Sequence, residues 1–93
     1  MGIKAAAGEF GVAKGDQSLT VSSTAAALTV PTGSVSAMVT NGASAVRVRW
    51  GTPTGAVGHY LNPYSVIELY NDLDAVKFIS VATDSTIFVT YFG

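Results

Sequence analysis

Hydrophobic and polar residues alternate along most of this chain with a period of two, the repeat of a strand with one buried face and not of a helix. The clearest case is Ala45-Val46-Arg47-Val48-Arg49-Trp50, where Val46, Val48 and Trp50 share one face and Arg47 and Arg49 the other. Ser65–Tyr70 alternates likewise, with Ile67 and Leu69 inward and Glu68 outward. Ser18–Val21, Ala26–Val30, Val35–Val39 and Ala75–Val81 are further strand-like runs. Thr86-Ile87-Phe88-Val89-Thr90-Tyr91-Phe92 is β-branched and aromatic throughout, and reads as a strand buried on at least one face. It ends one residue before the end of the chain and is expected to be integral to the core.

Turn residues separate these runs. Pro31-Thr32-Gly33 removes a ladder donor and allows a positive φ, which stops the preceding strand. Asn41-Gly42 is a strong type I′ hairpin signal and predicts that Val35–Val39 pairs with Ala45–Trp50. Gly51–Gly58 is a loop, Asn62-Pro63 and Asp84-Ser85 are turns, and Asn71–Asp74 is a short loop or a single helical turn. Seven or eight short strands at such spacing, with no amphipathic helix, predict an all-β domain. The expected fold is an antiparallel β-sandwich, jelly-roll-like, or a small barrel, over residues 17–93. Residues 1–16, MGIKAAAGEFGVAKGD, lack periodicity and are expected to form an extended, flexible N-terminal arm.

Composition adds a constraint. The 93 residues make one domain, too small to bury a generous core. There is no cysteine, hence no disulfide, and a single histidine with few carboxylates argues against a structural zinc site as the staple. Charged residues are only 12% of the chain, about half the usual share, which suggests a surface partly covered by protein. A homo-oligomer, or docking on a larger body, is expected. Net charge is −1, and the expected domain holds only Arg47, Arg49 and Lys77 as basic residues, too few for nucleic-acid binding. No apolar run reaches the length of a membrane span. Glu9 interrupts any export signal, so synthesis in a cytoplasm without export is expected.

No constellation for catalysis stands out. His59 has no cysteine and no adjacent carboxylate, and reads as a loop residue with local hydrogen bonds. Gly51–Gly58 lacks the Gly-Lys-Ser/Thr ending of a phosphate loop. Asp72, Asp74 and Asp84 lack the spacing of a calcium loop. The expectation is therefore no enzyme, no cofactor and no metal. Arg47 and Arg49 read either as the exposed polar side of a strand or as ligands for a carboxylate, a sugar or an acidic patch. Trp50 is expected in the core, on the Val46/Val48 face; Tyr60, Tyr64 and Tyr70 are candidates for stacking on a ligand. In the arm, Ile3, Phe10 and Val12 are apolar anchors for docking on a neighbouring protein.

Several segments occur in a suggestive order: Ala27–Pro31, Val46–Thr54, Gly58-His59, Ile67–Leu69, Val76–Ile79 and Ile87–Phe92. In pattern, residues 25–93 resemble the small β-sandwich accessory virion proteins of tailed bacteriophages, which decorate or cement the head or sit in head fibres. The resemblance implies a structural role on the capsid surface as a homo-oligomer, a trimer before a dimer, with the major capsid protein as partner, and carries no catalytic residues. The competing expectation is a tail- or fibre-associated module that recognises a cell-surface carbohydrate through Trp50, Tyr60, Tyr64 and the arginines.

Overall fold

The computed structural model describes residues 12–93. They form eight strands: β1 (Ala13–Val21), β2 (Ala26–Ala27), β3 (Ser36–Thr40), β4 (Val46–Trp50), β5 (His59–Leu61), β6 (Val66–Tyr70), β7 (Val76–Ser80) and β8 (Ser85–Phe92). A single 3-10 turn, Leu73–Ala75, precedes β7 and fulfils the short helical turn expected near residues 71–74.

All pairings are antiparallel and make two four-stranded sheets, ordered β1-β8-β3-β6 and β2-β7-β4-β5. The first strand pairs with the eighth, the second with the seventh, the third with the sixth and the fourth with the fifth. This is one long hairpin, folded between β4 and β5 and rolled into two layers. Eight strands in this order are a jelly-roll sandwich. The barrel alternative does not apply, since each sheet keeps two edges.

The core lies between the layers and follows the alternation read in the sequence. From the first sheet it receives Val21, Ala37, Val39, Leu69, Ile87, Val89 and Tyr91. The second sheet contributes Val46, Val48, Leu61, Val76 and Phe78. Leu28 and Leu73 close the cluster from the connections. Tyr91 is fully buried, and its hydroxyl donates to Gln17 Oε1 at 2.6 Å. Burial pushes the Tyr91 phenol up to about 12.

Three expectations are corrected. First, Asn41-Gly42 is no hairpin turn: β3 pairs with β6 and β8, and β4 with β5 and β7, so this dipeptide carries the chain from one sheet to the other. Asn41 is buried there, and its amide takes over the role of a turn. Nδ2 donates to the carbonyls of Ser44 and Asn62 at 2.9 and 3.0 Å, and Oδ1 accepts from the Gly42 amide and the Ser85 hydroxyl. Glycine follows because a Cβ at position 42 would come within 2.5 Å of the Thr86 carbonyl oxygen.

Second, Trp50 is not in the core. It has the parity of Val46 and Val48 but sits at the strand end, 43% exposed, with its indole N–H on the Asn71 carbonyl at 3.1 Å. A side chain at the rim of a sandwich has no opposite layer to bury it. Third, the sheet starts earlier than the expected arm boundary. β1 begins at Ala13, and residues 13–16 pair with Thr90–Phe92 of β8, with an irregularity at Lys14. Val12 and Gly93 exchange both backbone hydrogen bonds, at 3.0 and 2.8 Å. Ladder pairing at this edge needs backbone partners more than apolar side chains, so periodicity did not reveal it.

Candidate interaction surface

The two outer faces differ. On the second sheet, the outward residues of β4 are Arg47 and Arg49, and the Gly51–Gly58 loop folds back over them. Arg47 Nε donates to the Gly55 carbonyl and its Nη1 to the Gly58 carbonyl, both at 3.0 Å. Arg49 Nη1 donates to the Thr52 carbonyl at 3.1 Å. Lys77, paired with Arg49 across the sheet, reaches Thr52 Oγ1. Pro53 is buried under this loop, and Thr54 closes it by hydrogen bonds with Val57. The arginines therefore serve as clamps that hold a glycine-rich loop on the sheet. Arg47 also stacks on the Tyr60 ring, 5.3 Å from its centroid, and Tyr60 is half exposed.

The outer face of the first sheet mixes polar residues with exposed apolar and aromatic ones. Its residues form rows across the four strands, set by the register. One row reads Ser18–Phe88–Thr40–Val66, the next Asp16–Thr90–Met38–Glu68, and the last Ala13–Phe92–Ser36–Tyr70. Phe88 is 48% and Val66 55% exposed. Thr20, Thr86 and Thr40 beside them are exposed as well. At the far row, the Tyr70 hydroxyl donates to Glu68 Oε1 at 3.0 Å. Two residues before Val66 stands Tyr64, exposed and at φ 63°, the third residue of an Asn62-Pro63-Tyr64-Ser65 turn. Glycine is the ordinary occupant of such a position, and a bulky residue there is strained. Tyr64 thus stands exposed just ahead of β6, whose first residue Val66 is exposed as Phe88 is.

Ile3 and Phe10 fall outside the described residues. Val12 is described, exposed, and fixed through its backbone to Gly93. His59 opens β5 and is exposed. Among the described residues no three His, Cys, Asp or Glu side chains come together as a metal site, and no helix is long and apolar enough to cross a membrane. Phe88 and Val66 were not singled out in the sequence. A signal was present, since Thr86–Phe92 is apolar at both parities: Ile87, Val89 and Tyr91 fill the core, which leaves Phe88 and Phe92 for the other face. No protein-family model matches the chain, and neither a curated protein nor a solved structure is significantly similar to it.

Proposed function

We propose that this protein is a non-enzymatic structural protein that decorates or cements the capsid of a tailed bacteriophage, bridging neighbouring copies of the major capsid protein. The observation that carries the reading is the outer face of the first sheet. Phe88, Val66 and Tyr64 present exposed apolar and aromatic area on a domain whose overall charge is low. Apolar area grouped in this way is stabilised by contact with another protein. The jelly-roll topology agrees by analogy, since that architecture serves viral coats; it also serves lectins, so fold alone does not choose. Arg47 and Arg49 act in this reading by holding the 51–58 loop. Ile3 and Phe10, outside the described residues, are offered in this reading as further apolar anchors. One such contact is weak, and a homo-oligomer, a trimer before a dimer, gains retention by multivalency.

The test is co-sedimentation of purified protein with capsids of the phage that encodes it. Phe88→Thr with Val66→Thr keeps strand propensity and removes the apolar row. Capsid binding is expected to fall about tenfold or more, as for central interface anchors, with the fold unchanged by circular dichroism. Unchanged binding overturns this face as the docking site. The carbohydrate reading draws on one observation, the half-exposed Tyr60 with Arg47 stacked on it. It prevails if the protein ignores capsids and binds surface polysaccharide in a manner lost in Tyr60→Ala.

A further inference from the structure

Asn41-Gly42 carries a chemistry of its own, separate from its place in the fold. An asparagine followed by glycine is the pair most open to deamidation, because glycine has no side chain to shield its amide nitrogen or to stop the backbone from bending toward the side chain. The other two asparagines are less suited: Asn62 precedes Pro63, which has no amide N–H, and Asn71 precedes the bulkier Asp72. In the reaction the Gly42 nitrogen gives its proton to a base in solution and forms a bond to Asn41 Cγ. The Cγ–Nδ2 bond breaks and ammonia leaves. Water then opens the succinimide ring at either carbonyl, which leaves aspartate or isoaspartate at position 41.

The folded domain holds every group that this reaction has to move. Asn41 is 1% exposed. The Gly42 N–H that must be lost donates to Asn41 Oδ1 at 2.8 Å, and the Ser85 hydroxyl donates to the same oxygen at 3.0 Å. Nδ2 faces acceptors, the carbonyls of Ser44, Asn62 and Leu61 at 2.9, 3.0 and 3.4 Å, and none of these can protonate it as it leaves. The backbone is pinned on both sides: the Asn41 N–H donates to the Ser65 carbonyl and the Gly42 carbonyl accepts from the Tyr64 N–H, each at 2.8 Å. The partners come from the crossover, the 61–65 segment and β8. Freeing the amide requires all three to part, which is unfolding of the domain and not the fraying of one loop.

We propose that Asn41-Gly42 is a deamidation site closed by the native fold and opened by global unfolding, and that its products do not re-enter the fold. An aspartate at position 41 puts a carboxylate oxygen where Nδ2 now donates, so that a buried charge faces the Ser44 and Asn62 carbonyls. Isoaspartate adds a methylene to the main chain between the two pinned peptide groups and moves one of them off its partner. Each visit to the unfolded state then exposes the chain to permanent loss, and a partner that binds only the folded domain slows this ageing. The proposal concerns the domain by itself and does not rest on the capsid reading.

The test follows the peptide that holds Asn41 by mass spectrometry, in full-length protein kept in mildly alkaline buffer with and without guanidinium chloride. Conversion of amide to acid is expected about a hundredfold or more slower in the native than in the denatured chain, and its rate should climb with denaturant along the slope of global unfolding. Equal native and denatured rates, or a native rate indifferent to denaturant, would mean reaction in the folded state or through a local opening, and would overturn the proposal. A second measurement addresses the products. Chains partly converted in denaturant are diluted into native buffer, and the refolded, protease-resistant fraction should retain Asn41 while converted chains collect in the remainder. Refolding of converted and unconverted chains in equal proportion overturns the claim that the products are shut out. Asn41→Asp makes one product directly and should lower the urea midpoint or fail to fold; an unchanged midpoint overturns that claim equally.

Discussion

Asn41 shows why the most local signal in the sequence pointed the wrong way. Asn-Gly tolerates positive φ and so marks hairpins, but here Gly42 is needed for closeness to Thr86 and Asn41 for its amide. The amide ties the 41–45 crossover to the 61–62 segment and to Ser85, three stretches that meet only after folding. No reading of neighbours along the chain contains that information. Asn41→Ala should strip partners from several buried groups at once and destabilise the domain by about 2–4 kcal/mol in urea unfolding. Tyr91 offers a pH test. Its phenol is held up to about 12 in the fold, against 10.0 as the ordinary value. Between those values the unfolded chain has lost this proton and the native chain keeps it. Stability is therefore complete below pH 10.0 and falls as pH rises toward 12. Tyr91→Phe should flatten that alkaline decline, at a cost near neutrality of about 1 kcal/mol for the lost bond to Gln17.

At the scale of elements, alternation was legible and pairing was not. The inward sets Val46/Val48, Ile67/Leu69 and Ile87/Val89/Tyr91 follow directly from period two, because one buried face suffices to print it on the sequence. Strand order depends on which backbones meet, and five of the six pairings join strands that are not neighbours in sequence. β1 illustrates the loss: Ala13-Lys14-Gly15-Asp16 looks like a tail and behaves as an edge strand because β8 is there to receive it. The outer face was half legible, through the excess aromatic residues of β8. That strand lies between β1 and β3 and supplies core residues along its length. Deleting residues 86–93 should leave β1 unpaired and β3 with β6 alone, and yield insoluble chain. A soluble truncation that melts cooperatively near the parent temperature would show β8 to be dispensable.

For the whole molecule, the rolled-hairpin topology sets the folding rate. β1 must find β8 across nearly the full length of the chain, and β2 must find β7. Loop closure over such separations comes before any reward in contacts, so refolding is expected in milliseconds to seconds, as for other sandwiches. Stopped-flow mixing with Trp50 as reporter measures it; microsecond folding would mean that local contacts dominate after all.

The Val12–Gly93 pairing also determines how the domain bears force. Val12 and Gly93 sit at the same end of the β1–β8 ladder, whose hydrogen bonds run across the strands. Tension applied between them would load those bonds one after another, like opening a zip fastener, which is the weakest way to pull on a sheet. A load that enters instead through the broad face of the first sheet is shared by β1, β8, β3 and β6 together. Mechanically, then, this sandwich is better suited to load across its broad face than to tension between Val12 and Gly93.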